Sequence, residues 1–199
     1  MFDARLRKLI DSPLNRIASL VVRSGVGANA ITLAGAALVI PLFYALLAQN
    51  WLLAVALMLA NRVLDGLDGA VARLHGPTAW GGYLDSLCDY LFYIAVPLGF
   101  AFAAPANELS ALILTASFTL TAVSFLAFAA IMAGRDLGHG AKAFTYSSGL
   151  MEGGETIAFF VAMCLFPALF PQLALIFALL CLATVGQRLW MALTTLKNS

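Results

Sequence analysis

Of the ten acidic residues in this 199-residue chain, four are aspartates lying between positions 65 and 89. The stretch DGLDGAVARLHGPTAWGGYLDSLCD reads as two helix ends joined by a short turn at Gly76 and Pro77. On the first helix, Asp65, Asp68, Gly69, Ala72 and Arg73 recur at three- and four-residue steps and so share one face. On the second, Asp85 and Asp89 are one turn apart, with Gly81 one turn earlier. Facing these two surfaces brings four carboxylates together. In an apolar setting each charge costs roughly 2.5–3.5 kcal/mol at a helix centre, and like charges raise the cost further. The pattern therefore demands a cation. Hard divalent ions with oxygen ligands, Mg²⁺ or Mn²⁺, meet that demand, and two of them among four carboxylates would suit a diphosphate and an in-line displacement at phosphorus. Gly69 and Ala72 leave room for a ligand beside the backbone, and Arg73 offers a fork of donors to phosphate oxygens.

The setting is apolar. Hydrophobic residues make up 62% of the chain and charged residues 11%, where soluble domains carry about 25% charge. At about 20 residues per crossing, the expectation is an all-α integral membrane protein with six transmembrane helices, near 30–48, 51–74, 80–104, 108–133, 151–168 and 172–194. Ahead of them, residues 1–24 read as an amphipathic helix lying at the interface and interrupted at Pro13, with 25–199 as the membrane domain. Five Lys/Arg precede the first span, and Arg73, Arg135, Lys142, Arg188 and Lys197 follow even-numbered spans, while the opposite loops carry none. The positive-inside rule then places both termini and the aspartate stretch in the cytoplasm. No basic run suggests nucleic acid. Cys88, Cys164 and Cys181 are far apart and read as small buried hydrophobes.

The eight residues Asp65, Asp68, Gly69, Ala72, Arg73, Gly81, Asp85 and Asp89, at this spacing, resemble the signature of the CDP-alcohol phosphotransferase family of integral-membrane enzymes. The resemblance implies a bacterial inner-membrane enzyme of phospholipid synthesis. It would transfer a phosphatidyl group from a CDP-linked lipid, most often CDP-diacylglycerol, to a small alcohol acceptor with release of CMP. It further implies two Mg²⁺ or Mn²⁺ ions held by Asp65, Asp68, Asp85 and Asp89, Asp89 as general base, CDP contacts from Gly69, Ala72 and Arg73, Gly81 letting the two helices approach, and a homodimer. Asn29 and Thr32 open the first span where the family carries a similar polar entrance. They read either as lining the nucleotide pocket or as a helix cap and a back-bonded threonine.

Acceptor residues are harder to place. Arg135, Lys142 and Arg188 could form a basic pocket for a phosphorylated alcohol. Glu152 and Glu155 either reach that pocket or complement a helix N-terminus. The run Glu152-Gly153-Gly154-Glu155-Thr156 lacks the arginines that members using phosphorylated acceptors often show, so a serine-type or uncharged-alcohol acceptor stays open. Arg62, three residues before Asp65, pairs with an acid or lines the site. The same aspartates would also suit a metal-ion or ion-coupled transporter. Arg73 on the acid face argues against a passing cation, and no inverted repeat is visible.

Overall fold

The computed structural model of this chain describes residues 2–134 and 153–196, with side chains described over 13–132 and 153–196. Among the described residues there are helices and no strands: α1 (Phe2–Arg23), α2 (Ala28–Ala37), α3 (Val39–Leu47), α4 (Trp51–His75), α5 (Ala79–Ala103), α6 (Glu108–Gly134), α7 (Gly153–Leu165) and α8 (Phe170–Leu196). Two single 3₁₀ turns, Pro105–Asn107 and Pro167–Leu169, lead into α6 and α8. Each opens on a proline, which is tolerated where the first N–H has no intrahelical partner.

Among the described residues, four stretches are long and apolar enough to cross a membrane: Ala28–Leu47, Ala79–Ala103, Pro105–Met132 and Pro167–Leu196. The sequence pattern predicts six. The difference lies in α4 and α7. Helix α4 has 25 residues, about 37 Å at 1.5 Å per residue, which is long enough for the hydrocarbon core. Its second half, however, carries Arg62, Asp65, Asp68 and Arg73 and is not apolar. The described part of α7 is 13 residues, shorter than a full crossing. The first span is also two helices rather than one. Pro41 has no N–H to give the carbonyl of Ala37, so the helix breaks at Leu38, whose N–H turns to Gly35 O at 3.1 Å.

Helix α1 runs without interruption through Pro13, contrary to the sequence expectation. Lateral packing holds it. A β-carbon on Gly66 of α4 would lie 3.3 Å from Leu14 Cδ1, and Ala18 is fully buried with Ile31, Ala70 and Val71 from α2 and α4. Tertiary contact of this kind outweighs one missing hydrogen bond.

The main core joins α3–α8 around Leu42, Leu46, Met58, Phe92, Val96 and Phe100, with Leu114, Phe160, Met163, Phe170 and Phe177. Aromatic rings bind it together. Phe100 stacks on Phe170 at 4.2 Å and on Trp51 at 5.1 Å, and Phe159 stacks on Phe177 at 4.6 Å. Outward-facing apolar side chains are numerous, among them Leu52 (77% exposed), Phe102 and Trp190 (both 71%). That distribution suits lipid rather than water around the bundle.

Candidate active site

Helices α4 and α5 form a hairpin whose turn is set by local chemistry. Gly76 adopts φ 94°, a conformation open to glycine at little cost. Pro77 follows and stops α4, and Thr78 Oγ1 caps α5 by accepting from Gly81 N at 3.0 Å. The two helices rest on a common support, since α2 and α3 pack against both. The aspartates therefore meet above the floor made by α2.

Carboxylate oxygens of Asp65, Asp68 and Asp85 all lie within 4.8 Å of one another. Asp68 is buried, and Thr32 Oγ1 donates to its Oδ2 at 2.6 Å while also lying 3.1 Å from Ala28 O. Thr32 thus faces Asp68 while its oxygen stays close to the α2 backbone. The α2 N-cap is Gly27, with no side-chain cap bond, so Asn29 is not the cap. Instead Asn29 Oδ1 is 3.2 Å from the place a β-carbon on Gly81 would occupy. Gly81 accordingly makes room for the Thr78 hydroxyl, 3.0 Å from that point, and for Asn29 of α2. The sequence reading gave it a different neighbour, α4, and no α4 atom lies within 4 Å of that point.

Asp89 lies beside Asp65 without being one of these three. Arg62 Nη1 donates to Asp89 Oδ1 at 2.9 Å and lies 3.6 Å from Asp65 Oδ2. Arg62 is itself held: its Nε donates to Asn61 Oδ1 at 2.9 Å, its Nη2 bonds to the same oxygen, and Phe92 lies under the guanidinium at 4.3 Å. Asn61 Nδ2 in turn donates to Gly35 O at 2.8 Å. The small cavity here is lined by Thr32, Gly35 and Ala36 from α2, by Asn61, Arg62, Asp65 and Asp68 from α4, and by Asp85, Cys88 and Asp89 from α5. Asn61 was missed in the sequence, although an Asn-Arg pair inside an apolar helix is a signal. Arg73, in the exposed last turn of α4, folds back so that Nη1 comes 3.5 Å from where a β-carbon on Gly69 would sit. Gly69 and Ala72 are half-buried on that face. Three converging carboxylates form an all-oxygen, hard donor set, which fits Mg²⁺ or Mn²⁺.

A second cavity, of about 210 Å³, opens beside the first. Tyr90 and Tyr93 of α5 line it with Phe118, Thr121 and Phe125 of α6, Gly153 and Thr156 of α7, and Cys181 and Arg188 of α8. Tyr93 borders both sites, because its ring is also 5.6 Å from the Arg62 guanidinium carbon. Arg188 Nη1 donates to Thr121 O at 2.9 Å and Ser124 Oγ at 3.3 Å, and its guanidinium lies over Phe125 at 5.4 Å. Glu155 is in the first turn of α7, where its charge complements the helix N-terminus. Its Oε2 is buried with no hydrogen-bond partner among the described residues. Arg135, Lys142 and Glu152 lie outside the described residues.

Comparison with known proteins agrees with this fold. The sequence profile of the CDP-alcohol phosphatidyltransferases matches residues 26–195. The chain is 43% identical to inner membrane protein YnjF of Escherichia coli, over all of this chain and 98% of that one. It is 29% identical to the archaetidylinositol phosphate synthase of Pyrococcus horikoshii, over 83% of each. Among solved structures, Mycobacterium tuberculosis phosphatidylinositol phosphate synthase with CDP-DAG bound superposes with a TM-score of 0.74 at 20% identity, covering 91% of this chain and 94% of that one. Its complex with manganese and citrate gives 0.71 at 21% identity, covering 88% and 87%. At those identities the likeness is one of fold. The profile match spans most of the chain, and the protein belongs to the CDP-alcohol phosphatidyltransferase family, as an enzyme of phospholipid synthesis in the membrane.

Proposed function

We propose that this enzyme transfers a phosphatidyl group from CDP-diacylglycerol to a small alcohol, releasing CMP, at a two-cation site on the cytoplasmic side of the membrane. The observation that carries the reading is the convergence of three carboxylates from α4 and α5 to within 4.8 Å, with Asp89 one turn beyond on α5. Asp65, Asp68 and Asp85 would hold Mg²⁺ or Mn²⁺, with Asp89 completing the second shell. When bound, such ions neutralise the diphosphate and stabilise charge developing at phosphorus. Thr32 holds Asp68 in place through its hydroxyl. Arg73, beside Gly69 and Ala72, donates to the diphosphate oxygens, and Asn29, over Gly81, lines the nucleotide end. Asp89 takes the proton from the acceptor hydroxyl. The acceptor oxygen bonds to the lipid-side phosphorus as the bond to CMP breaks. Within this reading six helices span the bilayer, residues 1–24 lie at its cytoplasmic face, and 25–199 form the catalytic domain. The charge distribution along the chain supports that orientation.

The 210 Å³ cavity is the best place for the acceptor, because it shares Tyr93 with the acid site and contains Arg188. Arginine there favours an alcohol carrying phosphate. CMP release should be measured for purified protein with CDP-diacylglycerol, Mn²⁺ and a panel of glycerol 3-phosphate, inositol phosphate, inositol, serine and choline. Metal-dependent release with one acceptor, absent in Asp89→Asn, is the expected result and names the product. No release with any acceptor would reject this donor or the transfer itself, and metal-dependent CDP binding would tell which.

A further inference from the structure

The four aspartates are the same residue type, yet the structure treats them unequally. Three converge, while Asp89 Oδ1 is taken by Arg62 Nη1 at 2.9 Å. That nitrogen is also 3.6 Å from Asp65 Oδ2, so the positive charge touches both ends of the site. The guanidinium is no loose arm. Asn61 Oδ1 accepts from two of its nitrogens, Gly35 O fixes Asn61, and the Phe92 face lies beneath it at 4.3 Å. An arginine keeps its proton in any such setting, so its charge is permanent as well as fixed.

We propose that Arg62 is the resident counter-ion of Asp89 and makes cation loading stepwise. The first ion enters the Asp65–Asp68–Asp85 group. The second needs Asp89, binds against the fixed charge of Arg62, and is weak until a diphosphate offsets that charge. The complete site then forms only when a nucleotide-activated donor is present. This rests on the two-cation reading above.

The test is a Mn²⁺ titration of the purified full chain, followed by electron paramagnetic resonance, without and with CDP. A single neighbouring charge commonly shifts a carboxylate's affinity for a cation by about tenfold or more. Wild-type protein without CDP should therefore show two classes of site whose Kd values differ by at least about tenfold, with the weak class lost in Asp89→Asn. Arg62→Gln should tighten the weak class by about tenfold and leave the tight class within about threefold. CDP should tighten the weak class in wild-type protein. Arg62→Lys keeps the charge and should keep the weak class weak; it also serves if the glutamine variant fails to fold. Two equal classes in wild-type protein, an unchanged weak class in Arg62→Gln, or a tightened one in Arg62→Lys would overturn the role of Arg62 and leave the two-cation reading standing. One class in every variant, even with CDP, would remove that reading and the proposal with it.

Discussion

The seam between α3 and α5 has no room for a methyl group at Gly99. A β-carbon there would sit 2.6 Å from Leu46 Cδ1 and 2.8 Å from Leu46 Cβ, about 1 Å inside ordinary carbon contact. The Cδ1 methyl can rotate away, but the Leu46 Cβ is attached to the α3 backbone. In Gly99→Ala the two helices must therefore part by about 1 Å, and Leu46, fully buried, has nowhere else to go. Overpacking of this kind costs about 1–3 kcal/mol. For a chain of this size that is a fall of roughly 2–12 °C in Tm, read as loss of the monodisperse peak after heating in detergent. The second arm is a cycle with Leu46→Ala, which alone costs about 2–5 kcal/mol by leaving a cavity. The alanine at 99 fills part of that cavity, so the double variant should be more stable than the sum of the two losses by about 0.5–3 kcal/mol. A Gly99→Ala protein that melts with wild type, or losses that simply add, would refute the account of this seam.

Three further outcomes are expected. Asp68→Asn should lower Mn²⁺-dependent CMP release by at least about 100-fold, since it removes a ligand charge and changes what Thr32 faces; activity within tenfold of wild type would take Asp68 out of the site. Arg188→Ala should raise the KM for a phosphorylated acceptor by about 10- to 100-fold and leave the KM for CDP-diacylglycerol unchanged, as the loss of a charged hydrogen bond worth about 1.5–3 kcal/mol; an equal rise in both would move Arg188 away from the acceptor. Gly76→Ala should cost about 1–2 kcal/mol in thermal unfolding, because φ 94° is strained for any β-carbon; no change would mean that the turn relaxes freely.

The acids and the turn between them were legible because each depends on local geometry. Three- and four-residue spacing fixes a helix face, and Gly76-Pro77 spells a stop. Residues whose meaning depends on a third helix were not legible. Gly81 reads as a contact point for α4, yet the atoms crowding the place of its missing side chain belong to the capping Thr78 and to Asn29 of α2. Arg62 has aspartates three residues away on its own helix and across the hairpin, and only the fold shows Asp89 as the shorter contact. The 210 Å³ cavity draws on α5–α8, and no spacing within one helix announces it. The break at Leu38 is a different case: Pro41 signals it, but a continuous run of hydropathy conceals it.

The two cavities divide the chain by position as well as by chemistry. Every described residue lining the acid cavity lies before residue 90, whereas the neighbouring cavity takes most of its described wall from residues after 117, with Tyr93 common to their surroundings. Under the proposed roles, the half that breaks the diphosphate bond and the half that selects the alcohol are separate along the chain. Exchange of the C-terminal helices between relatives would then re-address the product while the reaction stayed the same. Tyr93 is the position through which such a graft would first be felt by the catalytic half.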